Sequence, residues 1–141
     1  MKKALLILAL FVWSINSFAE GFLNEEQTKA FSERLMEHII KKDFEAGFDQ
    51  TKKYWPIPEV EVNSMVNQIN QQWLIVDQRF GKAIGYELIK KERIGKSFLR
   101  YYYLHKFENH AIYWQIDFYK PREEWKINQI IFLDTLQTLY E

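Results

Sequence analysis

The sequence predicts an α+β fold, with N-terminal helices packed on a four-stranded antiparallel sheet. Three observations predict it. Apolar residues recur every three or four positions in the first half, the period changes to two after Gly81, and helical and strand signals are segregated rather than alternating as βαβ units would require.

Ahead of the first helix, Met1-Lys2-Lys3 is a positive start, Ala4 to Trp13 is an unbroken apolar run, and Ser17-Phe18-Ala19 places small residues where signal peptidase reads them. These parts predict a signal peptide over residues 1–19, cleaved after Ala19, and a periplasmic or secreted protein. A spanning helix needs about 20 apolar residues, and Ser14, Asn16 and Ser17 end this run too early. Cleavage leaves residues 20–141 as a single α+β domain. It is long enough to bury about two-thirds of its unfolded surface around one core.

Two of the 19 basic residues and none of the 19 acidic ones fall in the leader, so the mature chain carries a net charge of −2. That balance gives no reason to expect nucleic acid or anionic lipid as a partner, and no membrane attachment is expected after cleavage. With no cysteine in the chain, a lipid-modified N-terminal cysteine, a thiol nucleophile and a thiolate metal site are excluded, and stability must come from packing. Aromatic residues, 17% of the chain, supply the means.

Asn24 with Gln27 fits a capping box, and Phe31, Leu35 and Ile39 follow at a spacing of four as far as Lys41-Lys42. Asp43 is placed to cap a shorter helix carrying Phe44 and Phe48, which Trp55-Pro56-Ile57-Pro58 stops. Pro58 then opens the clearest helix, with Val62, Val66, Ile69, Trp73, Val76 and Phe80 spaced 4, 3, 4, 3, 4 and Gly81 at its end. An amphipathic stripe of this kind could seat a partner helix, but in a small domain it is ordinarily the core.

Four strands are predicted over 83–94, 98–108, 111–120 and 125–133, followed by a short helix from Asp134 through Leu136 and Leu139. If Asn109-His110 is a two-residue hairpin loop, Glu108 pairs with Ala111, His105 with Trp114 and Tyr103 with Ile116. One face then carries Tyr101, Tyr103, His105, Phe107, Trp114 and Phe118. Regular alternation adds Trp125, Ile127, Gln129, Ile131 and Leu133 from the last strand. The other face carries Arg100, Tyr102, Leu104 and Lys106 against Tyr113, Gln115, Asp117 and Tyr119, with Ile130 and Phe132 beside them.

This order of elements resembles the nuclear transport factor 2-like superfamily, a cystatin-like cone, in its small exported bacterial members. Asp43-Phe44-Glu45-Ala46-Gly47-Phe48 is similar to their second helix. The segments from Phe107 to Trp114 and from Ile116 to Pro121 are similar to their central hairpin. The resemblance spans most of residues 24–134 and lies in element order and apolar landmarks. It implies a cone formed by sheet and helices, used in that superfamily for isomerase, dehydratase or cyclase chemistry, or only for binding or dimerisation. The architecture is also similar to cystatins, but their Gln-x-Val-x-Gly inhibitory loop is missing.

His105 is the sharpest chemical candidate, since an imidazole among Tyr103, Trp114 and Gln129 in an apolar cleft would exchange a proton or contact a ligand. The plainer reading is a histidine hydrogen-bonded within the core. Asp117, Tyr102 and Arg100 fit either an acid-phenol-guanidinium site or an exposed cross-strand network. His38, His105 and His110 lie on different elements without metal-ligand spacing, and serine hydrolase, Walker and dinucleotide motifs are missing, so neither a metal nor a cofactor is expected.

The leading expectation is a non-enzymatic binding or accessory module, a homodimer or a partner to another protein, meeting it through Tyr102, Tyr113, Tyr119, Ile130 and Phe132. The alternative is a small-molecule carrier or isomerase- or cyclase-like enzyme using the cone around His105. An exported inhibitor or immunity-type protein is a third class, which requires a specific protein partner.

Overall fold

The structure is a computed structural model that describes residues 19–141, so the expected signal peptide lies, up to residue 18, outside the described residues. The Asn24 side chain accepts the Gln27 N–H at 2.9 Å and the Gln27 side chain accepts the Leu23 N–H at 2.9 Å, opening α1 (Glu25–Ile40). Phe31, Leu35, Met36 and Ile39 are its buried stripe. The chain turns through Lys42 in the left-handed region (φ 61°) into α2 (Phe44–Asp49). Asp43 makes no side-chain cap there; its carboxylate meets His38 Nδ1 at 3.1 Å instead. α3 (Glu59–Phe80) buries all six residues of the predicted stripe and ends at Gly81, whose φ of 81° favours a residue without Cβ.

Strands β1 (Ala83–Ile94), β2 (Phe98–Phe107), β3 (Ala111–Tyr119) and β4 (Lys126–Leu133) form one antiparallel meander in the order β1-β2-β3-β4. The three helices pack against this sheet, which makes the fold α+β. A one-bridge addition, Phe22 with Trp125, ties the chain ahead of α1 to the start of β4.

Two pairings differ from the sequence expectation, for different physical reasons. In the central hairpin Lys106 pairs with Ala111, His105 with Ile112 and Tyr103 with Trp114, two residues away from the expected register. The loop is longer than Asn109-His110 because its amides are held by tertiary bonds. Glu108 N–H donates to the Lys82 carbonyl and Asn109 N–H to the Phe80 carbonyl, each at 3.0 Å. A slip of two keeps every side chain on its face.

The second difference does move side chains. Phe118 pairs with Ile127 but Asp117 with Gln129, so Asn128 is an extra residue in β4, a bulge that reverses the alternation beyond it. Ile130 and Phe132 therefore join Ile127 on the helix-facing side, opposite Ile116 and Trp114, whereas Gln129, Ile131 and Leu133 take the outer side. The expected placement of Gln129 beside His105, and of Ile130 and Phe132 on the tyrosine-rich face, is corrected by this bulge.

Beyond β4, residues 134–141 form a strap containing a 3₁₀ turn, Leu136–Tyr140. It is fastened to the outer face by a 2.7 Å hydrogen bond between the Tyr113 and Thr138 hydroxyls.

Candidate functional site

On the helix-facing side, the pleat of β2 aims Tyr101, Tyr103, His105 and Phe107 at α1 and α3. The structure brings Tyr103, His105 and Trp114 together, and all three are buried. Two near-parallel rings pack against His105, Phe107 at 4.2 Å and Trp73 at 5.7 Å between centroids. Trp114 Nε1–H donates to His105 Nδ1 at 3.3 Å. An indole nitrogen only donates, so Nδ1 is an acceptor and the proton of the neutral imidazole resides on Nε2. Burial lowers the His105 pKa to about 4.

Three polar atoms of this cluster lack a hydrogen-bond partner: Trp73 Nε1, Tyr103 Oη and His105 Nε2. Burial pushes the Tyr103 phenol far above the usual tyrosine range. A neutral imidazole and a firmly protonated phenol can donate hydrogen bonds, but neither is poised to exchange a proton near neutral pH. Trp73, a member of this cluster, was legible in the sequence only as a core residue of its helix.

The outer face is organised by charge. Arg100 Nε and Nη2 donate to the two oxygens of Asp117 at 2.7 and 2.8 Å, a bidentate pair to which Gln115 Nε2 adds a bond at 3.2 Å. Asp117 beside it raises the Arg100 pKa above its already high value. Arg100 and Asp117 are directly paired across the strands, and Tyr102 pairs with Gln115, a consequence of the two-residue slip. Tyr102 receives a long bond from Arg100, 3.4 Å, and Lys90 sits 5.5 Å from its ring centroid. Lys90 bonds Glu92 at 3.0 Å and holds that carboxyl below the usual range.

Of the five expected interface residues, the outer face retains Tyr102, Tyr113 and Tyr119. Tyr102 and Tyr113 are buried, the second under the strap. Tyr119 is exposed and stacks on Phe98 at 4.9 Å, and Ile94, paired with Phe98 and 70% exposed, extends the patch. Neither Phe98 nor Ile94 stood out in the sequence, because each reads there as an ordinary strand-end apolar residue. A shallow pocket joins Ile94 and Phe98 to Glu92, Arg100 and Asp117.

Elsewhere, an open cleft of about 1110 Å³ runs past Arg34, Lys52, Lys53, Asp49, Glu59 and Trp55, with Lys52 and Asp49 paired at 3.0 Å. Its lining mixes both signs without a convergent set of donors. Among the described residues, no three His, Cys, Asp or Glu side chains are grouped to hold a metal, and no helix is long and apolar enough to cross a membrane. Comparisons with protein-family models, with curated proteins and with solved structures find no match.

Proposed function

We propose that this chain is an exported, non-enzymatic interaction domain whose contact surface is the outer face of the sheet. The observation that carries this reading is the exposed patch of Ile94, Phe98 and Tyr119 beside the rigid Arg100–Asp117 pair. Interfaces commonly combine aromatic side chains, an arginine and a polar rim in this way. Export rests on the leader ending at Ala19, and a relation to the nuclear transport factor 2-like superfamily rests on the order of helices and strands.

The partner is a second copy of the chain or another protein. Sedimentation of the mature chain, with and without Phe98→Asp and Tyr119→Glu, tests the surface. Association weakened at least tenfold by either change supports it, and association indifferent to both places the contact elsewhere.

A second reading is favoured by one specific observation, the three unpartnered buried polar atoms around His105. A small carrier would use them as donors to a carbonyl or carboxylate. Release of a small molecule on unfolding the gently purified protein is the result that would favour this reading over the first.

A further inference from the structure

The expected cleavage bond, Ala19–Glu20, is built into the fold. Its N–H, that of Glu20, donates to the Lys53 carbonyl at 2.7 Å, and its carbonyl accepts from Lys126 Nζ. Both polar groups of the peptide unit that a peptidase must grip are thus already engaged.

Two residues further on, the chain is fixed more firmly. Phe22 exchanges two backbone bonds with Trp125, each at 2.8 Å. Its side chain is buried and packs on Tyr54 at 4.2 Å, Phe31 at 5.1 Å and Phe118 at 5.6 Å between ring centroids. Gly21 leaves no slack between the two anchors. A Cβ there would stand 2.4 Å from the Glu124 Cβ and 3.1 Å from the Trp125 carbonyl oxygen, so the backbone runs flush against the residues that lead into β4.

Whether a bond is cut depends on the burial and hydrogen bonding of the backbone around it. To enter a peptidase cleft this bond must give up both contacts, and with Gly21 held against Glu124 it does not lift without drawing Phe22 from the core. We infer that folding seals the Ala19–Glu20 bond: the leader is removed before residues 20–22 are seated, and a chain that folds first keeps its leader. This rests on the reading of the chain as exported. Hydrolysis adds water across the bond, leaving a carboxylate on Ala19 and an α-ammonium on Glu20. The ammonium keeps the Lys53 carbonyl as its acceptor in a charge-assisted bond, so the new terminus anchors the chain beside Phe22. Lys126 loses its acceptor together with the leader.

Treatment of the folded full-length chain, in mild detergent, with the signal peptidase of its host tests this. The readout is the rate at which a chain beginning at Glu20 appears by mass spectrometry. A synthetic peptide of residues 1–26, which has the bond but not the fold, sets the unsealed rate. The folded chain is expected to be cut at least tenfold more slowly than the peptide. Phe22→Ala empties the seat without altering the residues before the bond and should return cutting towards the rate of the peptide. Gly21→Val should do the same through its clash with Glu124, and near-ultraviolet circular dichroism shows that each variant is folded. If neither variant folds, the wild-type rate against the peptide decides. A wild-type chain cut as fast as the peptide overturns sealing and leaves the export reading standing, and so does slow cutting shared equally by both folded variants. A peptide left uncut at Ala19 overturns the export reading, and sealing falls with it.

Discussion

Tyr101 and Tyr103 are two residues apart on one strand, share one face and are both essentially inaccessible, at 1% and 0% exposure. Their hydroxyls differ in one respect: Tyr101 Oη meets Thr28 Oγ1 at 2.9 Å and donates to the Glu25 carbonyl at 3.3 Å, while Tyr103 Oη has no partner. Changing each to phenylalanine removes one oxygen and leaves the ring. A buried hydroxyl without a partner costs about 1–3 kcal/mol, whereas a made hydrogen bond contributes about 1 kcal/mol net. Tyr103→Phe is therefore expected to stabilise the domain by about 1 kcal/mol, and Tyr101→Phe to destabilise it by about the same amount. Urea unfolding reads this directly, since a slope of about 1–3 kcal/mol per molar turns each change into a midpoint shift of roughly 0.5 M, in opposite directions. A loss of 1 kcal/mol or more for Tyr103→Phe would refute the reasoning, because it would mean that the hydroxyl is satisfied by an acceptor in the interior.

Acid sensitivity should be dominated in one window by His105. Its folded pKa is lowered to about 4 from the ordinary value of 6.5. The unfolded chain therefore takes up the proton first, and stability falls as pH drops from about 6.5 towards about 4, by about 3 kcal/mol in all. His105→Gln, whose amide oxygen can still accept from Trp114, should flatten that part of the stability–pH curve measured by urea unfolding at successive pH values; an unchanged slope would contradict the assignment. Trp73 contacts the rings of Phe44, His105, Phe107, Trp114 and Phe132, so Trp73→Ala should cost about 3–5 kcal/mol. A loss below about 1 kcal/mol would show that the helix and sheet repack without it.

The helices and the existence of all four strands were legible because hydrophobic period is a local property. Val62 to Phe80 needed only spacing, and each strand needed only its alternation and bounding turn residues. Register was less legible, because distant atoms set it. The carbonyls of Phe80 and Lys82 hold the hairpin loop open, and nothing near Asn109 encodes their position.

The bulge at Asn128 had a local trace in the adjacent polar residues Asn128-Gln129. The run from Ile130 to Leu133, however, is apolar at every position and satisfies either phase. That ambiguity is why Gln129 was expected beside His105 and why Ile130 and Phe132 were expected on the outer face. The cluster of Tyr103, His105 and Trp114 survived the hairpin slip because a shift of two preserves facing. The burial of Tyr113 depended on where the strap lands, which the sequence of the sheet does not contain.

The central claim is that this domain acts through its outer sheet face and not through its interior. Native mass spectrometry of the protein purified gently from its own host tests both halves in one spectrum. The account predicts a chain beginning at Glu20, present as a dimer or in a complex with another protein, with no small molecule attached. A monomer carrying a stoichiometric small molecule, lost on substitution of Tyr103 or His105, would contradict it.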